Sequence, residues 1–486
     1  MPRSLKTTPI FLNKVGDFLW YNKNMTTKDL IKINDYLWEI PKSFRNDMKV
    51  PARIYTSQSM LEDIFRDDSI QQLINGTTLP GIYKYAVAMP DMHQGYSVPI
   101  GFVGAIKTSN GVISPGACGF DINCGMRVLK SERSIQDIMS SLEKLALEIQ
   151  RQVPSGLGRG RKIKLSINQI DKILEKGTHV LLEQGYGEKQ DAENAEANGR
   201  LKWANSKNVS LRAKERGRDQ VGTLGSGNHF LEIQKVQEIF NEKIAKDFGL
   251  FKNQAVVMIH TGSRGLGHQV CSDYLKEMIP AMAKHNIKVP DKEFACVPFK
   301  SPEGQRYFSA MASAANYAWA NRHMIGHYVR IAWKNILGNK EKLKMLYDVA
   351  HNIIKKEKYD GIETIVHRKG ATRAFPNQPV LIPGSMGTAS YILSGKKEAE
   401  QSFFSVSHGA GRTMSRHQAR RTITGKEVIN QLKQKGIILK CRSQRGIAEE
   451  APLAYKNIDN VVNVISAAGL ADKVVRLEPL AVIKGE

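Results

Sequence analysis

The chain has 486 residues, 41% of them apolar and 24% charged, proportions of a folded soluble protein with a sizeable core. No apolar run reaches the ~18 residues a membrane helix needs, and the first residues lack the apolar stretch of a secretory signal. Its 71 Lys+Arg against 47 Asp+Glu leave a formal charge of +24, which suits a polyanionic partner, nucleic acid most simply, although a thermally adapted surface gives the same count.

Residues 1–26 carry no clear periodicity and read as an N-terminal extension of unknown role. They are basic and nearly free of acid, so organelle targeting stays open beside the cytoplasmic reading. Five cysteines, odd in number and widely spread, argue against a disulfide framework and for a reducing compartment. From residue 27 to 486 the chain reads as α+β: one large catalytic domain of mixed sheets flanked by helices.

Several apolar runs read as strands that end in Gly-rich polar turns. Tyr83–Met89 ends at Pro90 to Gly95, Ala255–Ile259 at His260 to His268, and Thr364–Val366 at His367 to Arg373. Val380–Ile382 ends at Pro383 to Thr388, and Phe403–Val406 at Ser407 to Arg412. Ile135, Ile138, Met139, Leu142, Leu145 and Ile149 predict one helix behind a Ser134 cap, and Ala310–Ile336 predicts another. Two stretches are rich in base. One runs from Arg200 to Arg218, with Glu215 its sole carboxylate. The other places Arg412, Arg416 and Arg420 four residues apart, on one helical face.

Pro115 to Arg127 packs three glycines, Asp121 and Cys124 into one loop. A thiolate and a carboxylate three residues apart suit a divalent transition metal; a tight turn with a buried thiol is the plainer alternative. His229, His260 and His351 sit where strands meet polar turns. With Asp121 and Cys124 they make five donors, enough for two metals sharing the thiolate, an arrangement suited to phosphoryl displacement. Other matches are weaker. His323 and His327 lack the zincin glutamate, no P-loop occurs, and Lys358 to Gly361 matches the short KxDG motif of classical nucleotidyl-transferring ligases, which arises easily by chance in a Lys-rich chain.

Seven ordered motifs resemble the RtcB family of RNA ligases. They are Pro90–Gly95, Gly119–Gly125, Gly225–Glu232, His260–Gly267, His367–Arg373, Pro383–Ser390 and Ser407–Arg412. The resemblance runs from about Trp38 to the last residues. It implies an enzyme that joins an RNA 3′-phosphate or 2′,3′-cyclic phosphate to a 5′-hydroxyl, using GTP and two Mn²⁺ ions. It implies His408 as the nucleophile that carries GMP, Cys124 as a ligand to both metals, and Asp91 as an acidic residue near the metals that supports the metal site or orients the 5′-hydroxyl. Asp121 and His229 then complete one metal site, His260 and His351 the other. Glu232, Ser390, Tyr455 and Lys484 are implied as the guanine pocket, and Asn228, Asn352, Ser385, Ala410 and Gly411 as further nucleotide contacts. Phosphate or RNA candidates are Arg264, Lys369, Arg373 and Arg412. RNA is the implied partner, with archease as a helper of the family. A metal-dependent phosphodiesterase on the same residues is the alternative, separated by whether GTP is used.

Overall fold

The computed structural model describes residues 25–485 apart from 157–160, 162, 163 and 442. The N-terminal extension, but for Met25 and Thr26, lies outside them. Two large sheets dominate, in keeping with the α+β expectation. The first runs Ile31–Asn34, Leu37–Ile40, Ala52–Tyr55, Ile82–His93, Ile100–Lys107, Ile362–Lys369, Asn352–Tyr359. Only its Ala52–Tyr55 and Ile82–His93 pair is parallel. The second runs Leu343–Ala350, Gly125–Ser134, Gln254–Thr261, Phe230–Ile239, Ala471–Lys484, Ser390–Gly395, Pro379–Ile382. Ile438–Lys440 adds to it beside Ala471–Lys484.

The chain passes from the second sheet to the first at a single residue. Leu343–Ala350 ends in one, His351 follows, and Asn352–Tyr359 begins the other. Registers Gly125↔Thr261, Ala350↔Gly125 and Phe230↔His260 bring the ends of neighbouring strands level. Polar residues that terminate separate runs in sequence are thereby gathered at the seam between two rigid sheets.

The long helix Pro302–Leu337 lies under this seam. Ser301 caps it by accepting from Gly304 N–H, and proline occupies its first turn, where no N–H is needed. It starts eight residues before the apolar pattern predicts, because the cap rather than the periodicity fixes its beginning. Trp319, Arg322 and Trp333 are fully buried along it.

Other elements differ from expectation. The predicted helix from Ile135 breaks into Ile135–Ile138, a tight turn at Met139–Ser141, and Leu142–Gln152. Met139 is 49% exposed because the break turns it away from the core. The strand expected to stop at Met89 continues to His93, and that expected to stop at Val366 continues to Lys369. Phe403 and Phe404 adopt positive φ, so their strand begins only at Ser405. Lys358 to Gly361 spans a hairpin whose two-residue turn, Asp360-Gly361, has positive φ at both positions, the geometry such a pair favours. Asp360 is bound there to Lys84 and Tyr83. The DG of that motif is turn chemistry.

Candidate active site

The metal loop owes its shape to one residue. Asn123 adopts φ +52°, a conformation asparagine tolerates better than most, so Asp121 and Cys124 project to the same side. Its own groups are tied inward. Nδ2 donates to Ala315 O, while Oδ1 accepts from Arg322 Nη2 and the backbone N–H donates to Asn352 O. His351 N–H donates to Cys124 O at 2.8 Å, which links the loop to the sheet junction.

Five donors converge there. His229 Nε2 lies 2.9 Å from Asp121 Oδ2 and 3.4 Å from Cys124 Sγ. His260 Nε2 lies 3.3 Å from the same sulfur and 3.4 Å from His351 Nε2. They form two groups with metal-holding geometry, Asp121–Cys124–His229 and Cys124–His260–His351, which share the thiol. Ser263 Oγ donates to Asp121 Oδ1, and a side chain on Gly262 would collide with that carboxylate.

Burial sets the protonation states. It pushes the Cys124 thiol well above its usual range, helped by the Asp121 charge, and holds His260 and His351 neutral, each also repelled by neighbouring histidines. Burial also pushes Asp121 upward, but the hydrogen bond and charge of His229 bring it down to about 2. Two neutral imidazoles, a third bonded to a carboxylate, and a thiol that a divalent cation deprotonates form a coherent donor set for a transition metal.

His408 stands beside this cluster, its ring centroid 5.1 Å from that of His351. Its Nδ1 donates to Asp91 Oδ2 at 2.6 Å, and that oxygen also accepts from the backbone N–H groups of His408 and Gly409. A carboxylate only accepts, so Nδ1 carries a proton and Nε2 is the ring nitrogen left for chemistry. Asp91 is fully buried; despite burial its carboxyl stays below the usual value because of His408, His93 and Lys456. Gly411 passes so close to the Asp91 carbonyl that any side chain would clash.

A cavity of about 750 Å³ joins these parts. Asp121, Cys124, Asn228, His260, His351, Asn352, Ser385, His408, Ala410, Gly411, Arg412, Tyr455 and Lys484 all line it. Glu232 and Ser390 do not. They lie behind the wall, where Gln234 Nε2 donates to Glu232 Oε2 and to Ser390 Oγ. Burial raises the Glu232 carboxyl to about 8, and its Oε1 is buried with no hydrogen-bond partner among the described residues. Lys484, near the end of the last strand, is anchored through Nζ to Gly227 O.

The basic candidates divide. Arg412 reaches the cavity and is held by Glu450, Tyr455 and the Glu449 carbonyl. Arg264 is turned to Thr223 and Gly156 O. Lys369 and Arg373 have partners within the protein. Lys369 donates to Tyr96 O and Val98 O, and Arg373 binds Gln378 and lies 3.5 Å from buried Glu196. Each is committed to structure by a buried acceptor that sequence does not reveal. Nor do Arg412, Arg416 and Arg420 share one helical face. The helix starts only at Arg416, so Arg412 belongs to the loop.

Three contributors escaped sequence reasoning. His93 lines the cavity with Nδ1 donating to Asp91 O at 2.9 Å, Lys456 Nζ donates to Pro90 O and Met92 O, and buried Glu450 accepts from Arg412, Arg416 and Tyr455. His93 lay inside a quoted motif, two residues from Asp91; the other two carried no local signal.

Comparison with known proteins agrees with this geometry. A family model described as tRNA-splicing ligase RtcB matches residues 72–485. The tRNA-splicing ligase RtcB of Thermococcus kodakarensis is 48% identical over 477 residues, covering 94% of this chain and 99% of that protein. That of Aeropyrum pernix is 48% identical over 476 residues, covering 93% and 99%. The RNA-splicing ligase RtcB of Mycobacterium bovis is 45% identical over 434 residues, covering 85% and 100%. With its seam of shared donors, its Asp91–His408 pair and these relatives, the chain belongs to the RtcB family.

Proposed function

We propose that this protein is an RNA ligase that joins 3′-phosphate or 2′,3′-cyclic phosphate ends to 5′-hydroxyl ends, using GTP and manganese, with His408 as the residue that carries GMP. The observation that carries this reading is the Asp91–His408 hydrogen bond. It holds the ring by Nδ1 and leaves Nε2 for chemistry, on a cavity wall beside the five-donor cluster. A phosphodiesterase using metals alone has no need of a histidine oriented in this way.

Two Mn²⁺ ions fit the donor set, one with Asp121, Cys124 and His229 and the other with Cys124, His260 and His351. When bound they supply Lewis-acid stabilisation of phosphoryl oxygens. The chain's own residues do the rest. His408 Nε2 attacks the α-phosphorus of GTP, forming an N–P bond and expelling pyrophosphate, while Asp91 stabilises the positive charge that develops on the ring. Glycines 409 and 411 let the backbone approach the phosphate closely, and Arg412 faces its charge. An oxygen of the RNA 3′-phosphate then takes GMP from His408 and restores the free imidazole. Finally the 5′-hydroxyl attacks the activated 3′-phosphate and GMP leaves. A cyclic phosphate end is first opened by water.

Guanine selection falls to Glu232, whose unpartnered Oε1 suits an N–H donor, with Ser390, Tyr455 and Lys484 around the base and Asn228, Asn352, Ser385 and Ala410 elsewhere on the nucleotide. Binding then requires the wall in front of Glu232 to open slightly. RNA ends are the substrate, consistent with the relatives' names, and the charge of +24 supports a polyanion. Archease fits as an activator by family resemblance. The test is incubation with α-phosphate-labelled GTP and MnCl₂: labelled protein is expected, and label that fails to attach, or attaches equally to His408→Ala, overturns the reading.

A further inference from the structure

Asp91 sits on an irregular stretch of strand. Its strand pairs with Ile100–Lys107, and the register passes from Ala88↔Phe102 directly to His93↔Ile100. The residues between Ala88 and His93 outnumber those available to pair with them, so the strand bulges there. A bulge re-aims a side chain, here Asp91 toward His408, and leaves main-chain groups without ladder partners. Pro90 has no N–H with which to tie the stretch down.

One side chain takes up two of the carbonyls there. Lys456 Nζ donates to Pro90 O at 3.1 Å and to Met92 O at 2.7 Å, the carbonyls on either side of Asp91. Its backbone N–H donates to Gly411 O at 2.9 Å, and the residues before it continue the pairing, Tyr455 against Arg412 and Ala454 O accepting from Thr413 N–H. Lys456 thus ties the bulge that carries Asp91 to the loop that carries His408. A neutral donor would satisfy the two carbonyls equally well. The ammonium adds a charge that, against burial, joins those of His408 and His93 in keeping Asp91 ionised. Nor does Lys456 face the nucleotide cavity. Tyr455 lines that cavity and also a second one of about 670 Å³, whereas Lys456 lines the second and not the first. Its influence on the chemistry therefore runs through Asp91.

We propose that Lys456 is a positioning residue for the transfer of GMP to His408: it pins the bulge so that Asp91 holds the imidazole by Nδ1 and Nε2 stays available to the nucleotide. The bulge gives Asp91 its aim, and the ammonium keeps that aim from relaxing. The inference rests on the ligase reading for its consequence, but the positioning itself is measurable without GTP.

Two readouts on the full chain test it. The first is single-turnover labelling with α-phosphate-labelled GTP and MnCl₂ over a range of GTP concentrations. Lys456→Met, close in length but without a donor, is expected to lower the maximal rate by about 10- to 100-fold and to leave the half-saturating GTP concentration unchanged. Lys456→Ala opens a space onto the second cavity, and added propylamine is expected to restore part of its rate, with no such effect on Asp91→Asn. The second readout is NMR of the His408 Nδ1 proton, identified by its absence from His408→Ala, in protein loaded with Zn²⁺, which takes the same donor types without paramagnetic broadening. That proton is expected to exchange slowly in wild type and fast in Lys456→Met. A wild-type maximal rate in Lys456→Met, a loss that lies wholly in GTP affinity, no effect of propylamine on folded Lys456→Ala, or an unchanged Nδ1 signal overturns the proposal. If wild type takes no label while the Nδ1 signal changes as expected, the ligase reading fails and the positioning stands.

Discussion

Asp91 Oδ2 accepts three hydrogen bonds from two consecutive residues, His408 N–H, His408 Nδ1–H and Gly409 N–H. One buried carboxylate thus fixes both the loop and the tautomer of the ring it carries. Asp91→Asn keeps the size but offers an N–H to Nδ1, which favours the wrong tautomer. The rate of GMP transfer to His408 is expected to fall by about 10²- to 10⁴-fold with little change in bound metal. Rapid-quench labelling and metal analysis of the same preparation check it.

Cys124 belongs to both donor groups. Cys124→Ser is therefore expected to lower metal content at two sites and to abolish adduct formation, whereas His351→Ala removes a ligand from one. Manganese should raise the thermal midpoint of wild type, since binding at 100 times Kd stabilises by about 2.7 kcal/mol. That rise should vanish in Cys124→Ser, and calorimetry with and without a chelator reads it.

Beneath the metal loop, Asp348 is bound by both Arg127 and Arg322, all three fully buried. Arg322 also donates to the carbonyls of Asn123 and Thr261, each adjacent to an expected ligand. Asp348→Asn leaves two buried guanidinium groups without a counter-charge and is expected to cost about 3–5 kcal/mol of stability. Urea denaturation measures this directly, and a loss below 1 kcal/mol contradicts the role given to the triad.

Glu196 supplies a pH signature. Burial pushes its carboxyl up, but the charges of Lys355 and Arg373 and the Lys355 hydrogen bond bring it from 4.5 to about 2. A depressed folded value means that its contribution is complete above pH 4.5 and is lost as pH falls toward 2. The fall in thermal midpoint between neutral and strongly acidic buffer is expected to be smaller in Glu196→Gln than in wild type.

Glu232 titrates in the opposite sense. Raised by burial to about 8, it is neutral in the free protein below that value and gains acceptor capacity above it. Preference for GTP over ATP is expected to increase from pH 7 to 9, and in Glu232→Gln to be weak and flat. Competition for adduct formation at several pH values checks this.

Asp121, Cys124 and the three histidines showed in the sequence because metal donors at strand ends in Gly-rich turns are rare for packing reasons, and neighbouring strands carry those ends to one seam. For Arg373 a motif does not reveal the partner, Glu196, which lies 177 positions away in sequence. Arg322 stayed hidden in the middle of an apolar helix, where only its contacts distinguish a clamp from a surface charge. The helix from Ile135 failed because periodicity survives a one-turn break that only capping exposes.

The central claim is that His408 Nε2 becomes bonded to GMP. Peptide mapping by mass spectrometry after incubation with GTP and MnCl₂ tests it most directly. The prediction is a GMP adduct on His408 alone, absent in His408→Ala and undiminished in Lys358→Ala. An adduct on Lys358, or none on any residue of a metal-loaded wild-type protein, contradicts the account.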